Sequence, residues 1–158
     1  MPTIEDVKRA LREHGVTVLE FEEPTPDSRA AAKAVGCSVG EIAKSILLFV
    51  GRVPLMVVTS GDVKVKNSKL RKATGLAGKI RLPDAEEVLR HTGYAPGGVC
   101  PFLLPAALRV LVDTSMRRFS RVFAAAGNAH SAVPILFDQL LDITGGEEVD
   151  VCEIPETP

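Results

Sequence analysis

Residues 45–60 read "SILLFVGRVPLMVVTS", two apolar, β-rich runs parted by Gly51-Arg52. A two-residue connection between such runs signals a β-hairpin. That hairpin decides the fold class, because the rest of the chain alternates strands and helices as a βαβ repeat would, and consecutive antiparallel strands break such a repeat. Upstream, residues 3–14 carry Ile4, Val7, Ala10 and Leu11 at helical spacing and stop at Gly15. "VTVLEF" (16–21) reads as a strand and "EEPTP" as a turn. Asp27 or Ser28 caps the alanine-rich helix "SRAAAKAVG", which ends at Gly36, and "VGEIAK" forms a short helical turn. Downstream, "NSKLRKATG" and "PDAEEVLRHTG" read as short helices, each opened by a capping residue and closed by glycine, with the strand "GKIRL" between them. "ALRVLVD", "RVFAAAG" and "AVPILF" follow as strands, then the helix "FDQLLDITGG" and a last strand "EVDVCEI". The expectation is one α/β (α+β mixed) domain over residues 1–158. Its sheet is mixed, largely antiparallel, curved or barrel-like, and flanked by short helices.

Composition bounds the function. Apolar residues make up 46% and charged residues 25% of 158, an ordinary globular profile. A formal net charge of −1 excludes a generally basic nucleic-acid binder but not a local basic patch. No apolar run approaches the roughly 20 residues of a membrane helix, and "MPTIEDVKRALREHG" reads as a charged amphipathic helix rather than a signal peptide. Cys37, Cys100 and Cys152 are widely spaced and odd in number, so neither a disulfide framework nor a CxxC metal site is indicated. The expected setting is the cytoplasm, with reduced thiols. His14, His91 and His130 lack metal-ligand spacing, and no GxSxG elbow or Walker glycine loop occurs. No metal or cofactor is expected.

Three features carry chemistry. "GYAPGGVCPF" (93–102) threads Tyr94, Cys100 and Phe102 through three glycines and two prolines. It reads either as a tight surface turn or as backbone kept bare for close approach. Cys100 lacks a local base and reads as packing. Lys44, in "GEIAKSILLFV", stands where a helical turn enters an apolar strand. It either snorkels to the surface or points as a cation into a cleft beside the strand end. The run "VKVKNSKLRKATGLAGKIRLP" (63–83) holds Lys64, Lys66, Lys69, Arg71, Lys72, Lys79 and Arg81 without an acidic residue. It is a solvated helix face or a patch for phosphates, with too little aromatic interleaving for base stacking.

With these pieces in order, the sequence resembles the YbaK/ProX family of aminoacyl-tRNA deacylases, relatives of the editing domain inserted in bacterial prolyl-tRNA synthetases. The likeness rests on "SRAAAKAVGCSVGEIAKSILLF", on "LRKATGLAGKIRLPDAEEVLRHTGYAPGGVCPF" with its G-Y-x-x-G-G-x-x-P loop, and on "LPAALRVLVDTSMRRFSRVFAAAGNAHSAVPILFDQLLDITGG". It covers nearly the whole chain.

The resemblance implies hydrolysis, in trans, of the ester between a wrong amino acid and the terminal adenosine of a tRNA. The tRNA implied is tRNA-Pro carrying a small residue such as Ala or Cys, and a prolyl-tRNA synthetase is a possible partner. Neither DNA nor membrane is implied. Such hydrolysis passes through an oxyanion, which backbone N–H groups stabilise. Gly97 and Gly98 are the expected donors, and Lys44 resembles the family's essential lysine, fixing the terminal nucleotide or the ester. Tyr94, Pro101, Phe102, Gly127 and His130 are expected to line the substrate, and Lys64, Lys66, Lys69, Arg71 and Lys72 to bind tRNA. The sequence departs from the family pattern at Leu103, where a glycine often closes the loop. It departs again at Ala125 and Ala132, where cysteine-specific members carry a serine and an aspartate. The alternative is a non-catalytic module, associated with a synthetase, that binds aminoacyl-tRNA or aminoacyl-adenylate.

Overall fold

The computed structural model describes residues 1–154, so the last four residues of the expected 1–158 domain lie outside the described residues. The hairpin is present in full. β2 (Ile42–Val50) and β3 (Val53–Ser60) pair antiparallel from Ala43↔Ser60 to Val50↔Val53, after the short edge strand β1 (Leu19–Glu20). Gly51, at φ 61°, supplies the left-handed residue that the tight connection needs. The remaining strands are β4 (Lys64–Val65), β5 (Ile80–Arg81), β6 (Arg109–Asp113), β7 (Val122–Ala124), β8 (Ser131–Ile135), β9 (Glu147–Val149) and β10 (Cys152–Glu153). The helices are α1 (Ile4–Arg12), α2 (Ser28–Val35), α3 (Asn67–Thr74), α4 (Ala85–Thr92) and α5 (Phe137–Thr144).

The main sheet runs β1-β8-β7-β2-β3-β6-β9, with β5 paired to the far end of β2, and β10 pairs β4 separately. It is a mixed α/β architecture. The hairpin, β7–β8 and β1–β8 are antiparallel, while β2–β7, β3–β6 and β6–β9 are parallel.

Three local expectations are corrected. The strand expected over 16–21 shrinks to Leu19–Glu20, because the Val16 N–H turns back to the Leu11 carbonyl at the end of α1. The last strand divides at Asp150–Val151. There the buried Asp113 carboxylate accepts the Val151 N–H at 2.8 Å and the Ser115 N–H at 3.0 Å, drawing the chain out of the ladder. Finally, α3 opens on Lys66 with no side-chain cap, whereas Asp27 and Asp84 cap α2 and α4 as read.

Strand alternation sorts the core. One face of the hairpin, with Ala43, Leu47, Phe49, Met56 and Val58, packs on α1, α5 and the loop after α4. The opposite face carries two separate clusters. Ile42 joins Ala32, Phe123 and Ala132, while Leu48 and Val50 join Leu55, Val57, Leu70 and Leu111. At roughly 1.5–3 kcal/mol per fully buried side chain, each cluster is strong enough to fix its own helix. Between the two, on the same face of β2, stands Lys44.

Candidate functional site

Lys44 lies in register with Thr59 and is half-buried, on the floor between the two clusters. Its Nζ donates to the Val63 carbonyl at 2.9 Å. It lines a groove of about 340 Å³ with Ile46, Lys64, Asn67 and Arg81. Burial pushes its amine below the ordinary lysine value, the Asp62 charge opposes this, and Lys64 adds to it. A cation with one N–H committed keeps two for an anionic group.

The glycine loop is built differently from the expectation. Pro96-Gly97 forms the corner of a turn closed by the Gly98 N–H donating to the Ala95 carbonyl at 3.0 Å, with Gly97 at φ 88°. Proline then glycine at these positions is the signature of a type II turn. The Gly98 donor expected for an oxyanion is therefore already bonded. Among the described residues only Gly97 of the pair, which is exposed, keeps an unbonded N–H. Gly98 serves instead as a close contact. A Cβ there would lie 3.0 Å from the Gly127 carbonyl oxygen and 3.1 Å from Asn128 Cα.

Gly127, at φ 104°, is in turn pressed on Tyr94, where a Cβ would meet the ring at 3.0 Å. Tyr94 and Phe102 were expected to touch substrate. Both are 2% exposed, and the Tyr94 hydroxyl donates to the Phe102 carbonyl, so they brace the loop from inside the core. Pro101 is buried and borders a different groove, beside Leu104, Arg109 and Ile143. Cys100 is fully buried with its thiol pushed up to about 11 by that burial, a packing residue as read. Leu103, where the family pattern has glycine, adopts φ 54°.

The corner that receives Gly98 is laced to the chain before α2. The Thr25 hydroxyl donates to the Ala129 carbonyl at 2.8 Å, and the Phe21 N–H to the His130 carbonyl at 2.8 Å. Asn128 Oδ1 accepts the His130 N–H at 2.9 Å, and Ser131 Oγ accepts the Ala126 N–H at 3.0 Å. The His130 ring is exposed at the rim. Thr25, Asn128 and Ser131 went unnoticed in the sequence, although Asn-x-His after glycine is an Asx-turn pattern. The parallel ladder between β2 and β7 ends at Ala43↔Ala124, so Lys44 and Ala125 leave it side by side. The structure thus brings the Gly97-Gly98 turn to the 127–128 corner and starts that corner beside the Lys44 backbone, while the Lys44 side chain stands on the face of β2 opposite the one that the glycine loop packs against.

The basic run is not acid-free in space. β10 pairs with β4 and brings acids to it, giving Lys66–Glu153 at 2.9 Å and Lys69–Asp150 at 3.0 Å. Arg71 donates to the Gly78 carbonyl, and Arg81 is held by Glu87. Among the described residues, Lys64 and Lys72 are exposed and carry no ion pair. Also among these residues, no three His, Cys, Asp or Glu side chains converge as a metal site requires, and no helix is long and apolar enough to cross a membrane.

Comparison with known proteins gives the family of the chain. The family description "Aminoacyl-tRNA editing domain" matches residues 22–143. The uncharacterised protein YwhH of Bacillus subtilis (strain 168) is 37% identical over 144 residues, 90% of this chain and 89% of that protein. The proline–tRNA ligase of Xanthomonas campestris pv. campestris (strain 8004) is 27% identical over 116 residues, 73% of this chain but 20% of the ligase. A crystal structure described as a candidate trans-editing enzyme for prolyl-tRNA synthetase superposes with TM-score 0.85 at 29% identity, covering 97% of this chain and 98% of that one.

Proposed function

The chain belongs to the aminoacyl-tRNA editing domain family, and from that premise we propose that it is a cytoplasmic hydrolase that deacylates mischarged tRNA in trans. Its substrate is tRNA-Pro carrying a small amino acid, Ala or Cys, left by a prolyl-tRNA synthetase. The carrying observation is the half-buried Lys44 cation, two N–H groups uncommitted, at the sheet end where the glycine corner sits.

In this reading Lys44 binds the terminal phosphate or the ester oxygen. Water adds to the ester carbonyl carbon, and the exposed Gly97 N–H faces the oxyanion that forms. The carbon–oxygen bond to the ribose then breaks. The departing ribose oxygen takes a proton, and the amino acid leaves as a free acid. In this reading no described side chain acts as a general base, so the neighbouring ribose hydroxyl orients the water, and an activated ester needs only modest help. His130 at the rim meets the 3′ end, and Lys64 and Lys72 meet backbone phosphates.

The bonded Gly98 N–H favours one competitor, a module that holds aminoacyl-tRNA without cleaving it. A panel of tRNAs charged with each small amino acid separates the two. Single-turnover release above buffer supports the hydrolase, and saturable binding with no release from any substrate supports the module.

A further inference from the structure

The Asp62 carboxylate is paired with one cation and adjoins, one residue along the chain, the carbonyl that holds a second. Arg118 grips it with both nitrogens, at 2.6 Å to Oδ1 and 3.1 Å to Oδ2, and is itself anchored by Nε donating to the Ser115 carbonyl at 2.7 Å. Lys44 Nζ bonds the carbonyl of Val63, the very next residue, and feels the Asp62 charge. The loop between them has no slack. A Cβ on Gly61 would lie 2.5 Å from the Val39 carbonyl, and one on Gly40 would lie 2.9 Å from Asp62 Oδ2. Side-chain movement is therefore the way this carboxylate changes partner.

We propose that Arg118 is a positioning residue for Lys44: by holding both oxygens of Asp62 it keeps that carboxylate off the lysine, whose remaining N–H groups stay available to an anionic substrate. The consequence for catalysis rests on the deacylase reading, whereas the Asp62–Lys44 relation does not. The charged and titratable groups around Lys44 are Asp62, Lys64 from β4 and Cys152 from β10. Burial, reinforced by Asp113, holds the Cys152 thiol well above its ordinary value, so it stays neutral and no rival for the lysine. Without the guanidinium, the carboxylate loses two charge-assisted bonds and turns to Lys44, the half-buried cation that already feels its charge. The ion pair blocks the substrate's place and raises the amine's affinity for its proton.

The test uses the full chain with trace acetylation of Lys44 by acetic anhydride from pH 7 to 10, read by mass spectrometry. Arg118→Met is expected to slow labelling about threefold or more and move its midpoint upward. Arg118→Met/Asp62→Asn is expected to label at the wild-type rate or faster, which a purely structural arginine would not allow. Single-turnover deacylation should drop about tenfold in the single variant and recover to within about threefold in the double. Unchanged labelling in Arg118→Met, including the case in which exposed Lys64 captures Asp62 instead, overturns the proposal, as does a double variant no better than the single. If Arg118→Met does not fold, Asp62→Asn alone decides, since removing the opposing charge must speed Lys44 acetylation, and a slower rate refutes the relation. Wild-type protein that cleaves no aminoacyl-tRNA would sink the deacylase reading while leaving the labelling result to stand by itself.

Discussion

Replacing Lys44 by methionine separates function from stability in one variant. The side chain keeps its unbranched apolar stem and loses the ammonium tip, and with it the charge and the bond that the tip makes. The hydrogen bond from Nζ to the Val63 carbonyl is charge-assisted, so its loss costs about 1.5–3 kcal/mol. Against this, taking an ammonium half out of water carries a penalty of several kcal/mol for a fully buried ion, and about a similar amount to the bond when partly exposed. The two nearly cancel, leaving a net change of about 1 kcal/mol or less and a Tm shift within about 4 °C. Activity has no such compensation, and kcat/KM should drop at least about tenfold. Chemical denaturation across pH adds a sharper check. The folded amine gives up its proton below the ordinary 10.5, while the unfolded amine holds it to that value. Through that window the unfolded chain binds more protons, so this group makes stability rise with pH. Cys100, Cys152 and Tyr94, all shifted upward by burial, make stability fall over the same range. The difference between wild type and Lys44→Met isolates the lysine: it must grow in favour of wild type as pH approaches 10.5. A flat difference, or a folded variant with full activity, refutes the placement of Lys44 as a desolvated catalytic cation.

Gly97, Gly98 and Gly127 should rank by what a methyl group meets. Gly97→Ala finds no atom within 4 Å and bears only left-handed strain of about 1–2 kcal/mol; Gly98→Ala must push the 127–128 backbone by tenths of an ångström, and Gly127→Ala suffers strain and the Tyr94 ring together. Melting temperatures in any other order would contradict the packing. Cys100→Ser should keep more than a third of the activity, and no acyl-cysteine should be trapped in wild type, because a thiol raised to about 11 is not a nucleophile at neutral pH. Lys64→Ala/Lys72→Ala should flatten the salt dependence of tRNA binding by about one to two units of slope, whereas Lys66→Ala/Lys69→Ala should change it less, their charges being met by Glu153 and Asp150. Equal slopes for the two pairs would place the tRNA elsewhere.

What was legible in the sequence was local. Gly51-Arg52 announced the hairpin, and Asp27 with Gly36 bounded α2, because turn and cap chemistry acts within a few residues. Lys44 was legible as an oddity, a charge where a helical turn enters an apolar strand, but the turn stops at Glu41 and β2 begins at Ile42, so the lysine lies within the strand. The partners of the basic run were not, since they arrive through β10 on β4, a pairing that no sequence period encodes. The burial of Tyr94 and Phe102 was equally hidden, because an irregular loop has no periodicity to reveal which side chains point inward. Pro96-Gly97 did carry a turn signal, and the turn occupied the Gly98 N–H that the catalytic reading wanted.

The parallel pairing of β2 with β7 also sets a timetable. The lysine strand zips to its neighbour through a two-residue connection, whereas joining Ile42 to Phe123 closes a segment of about 80 residues. Local closure precedes distant closure, so on refolding the hairpin amides become protected first and the 126–130 corner docks late. On the deacylase reading, activity would then return with the slowest topological event, because a half-folded chain presents its cation before the corner beside it has docked.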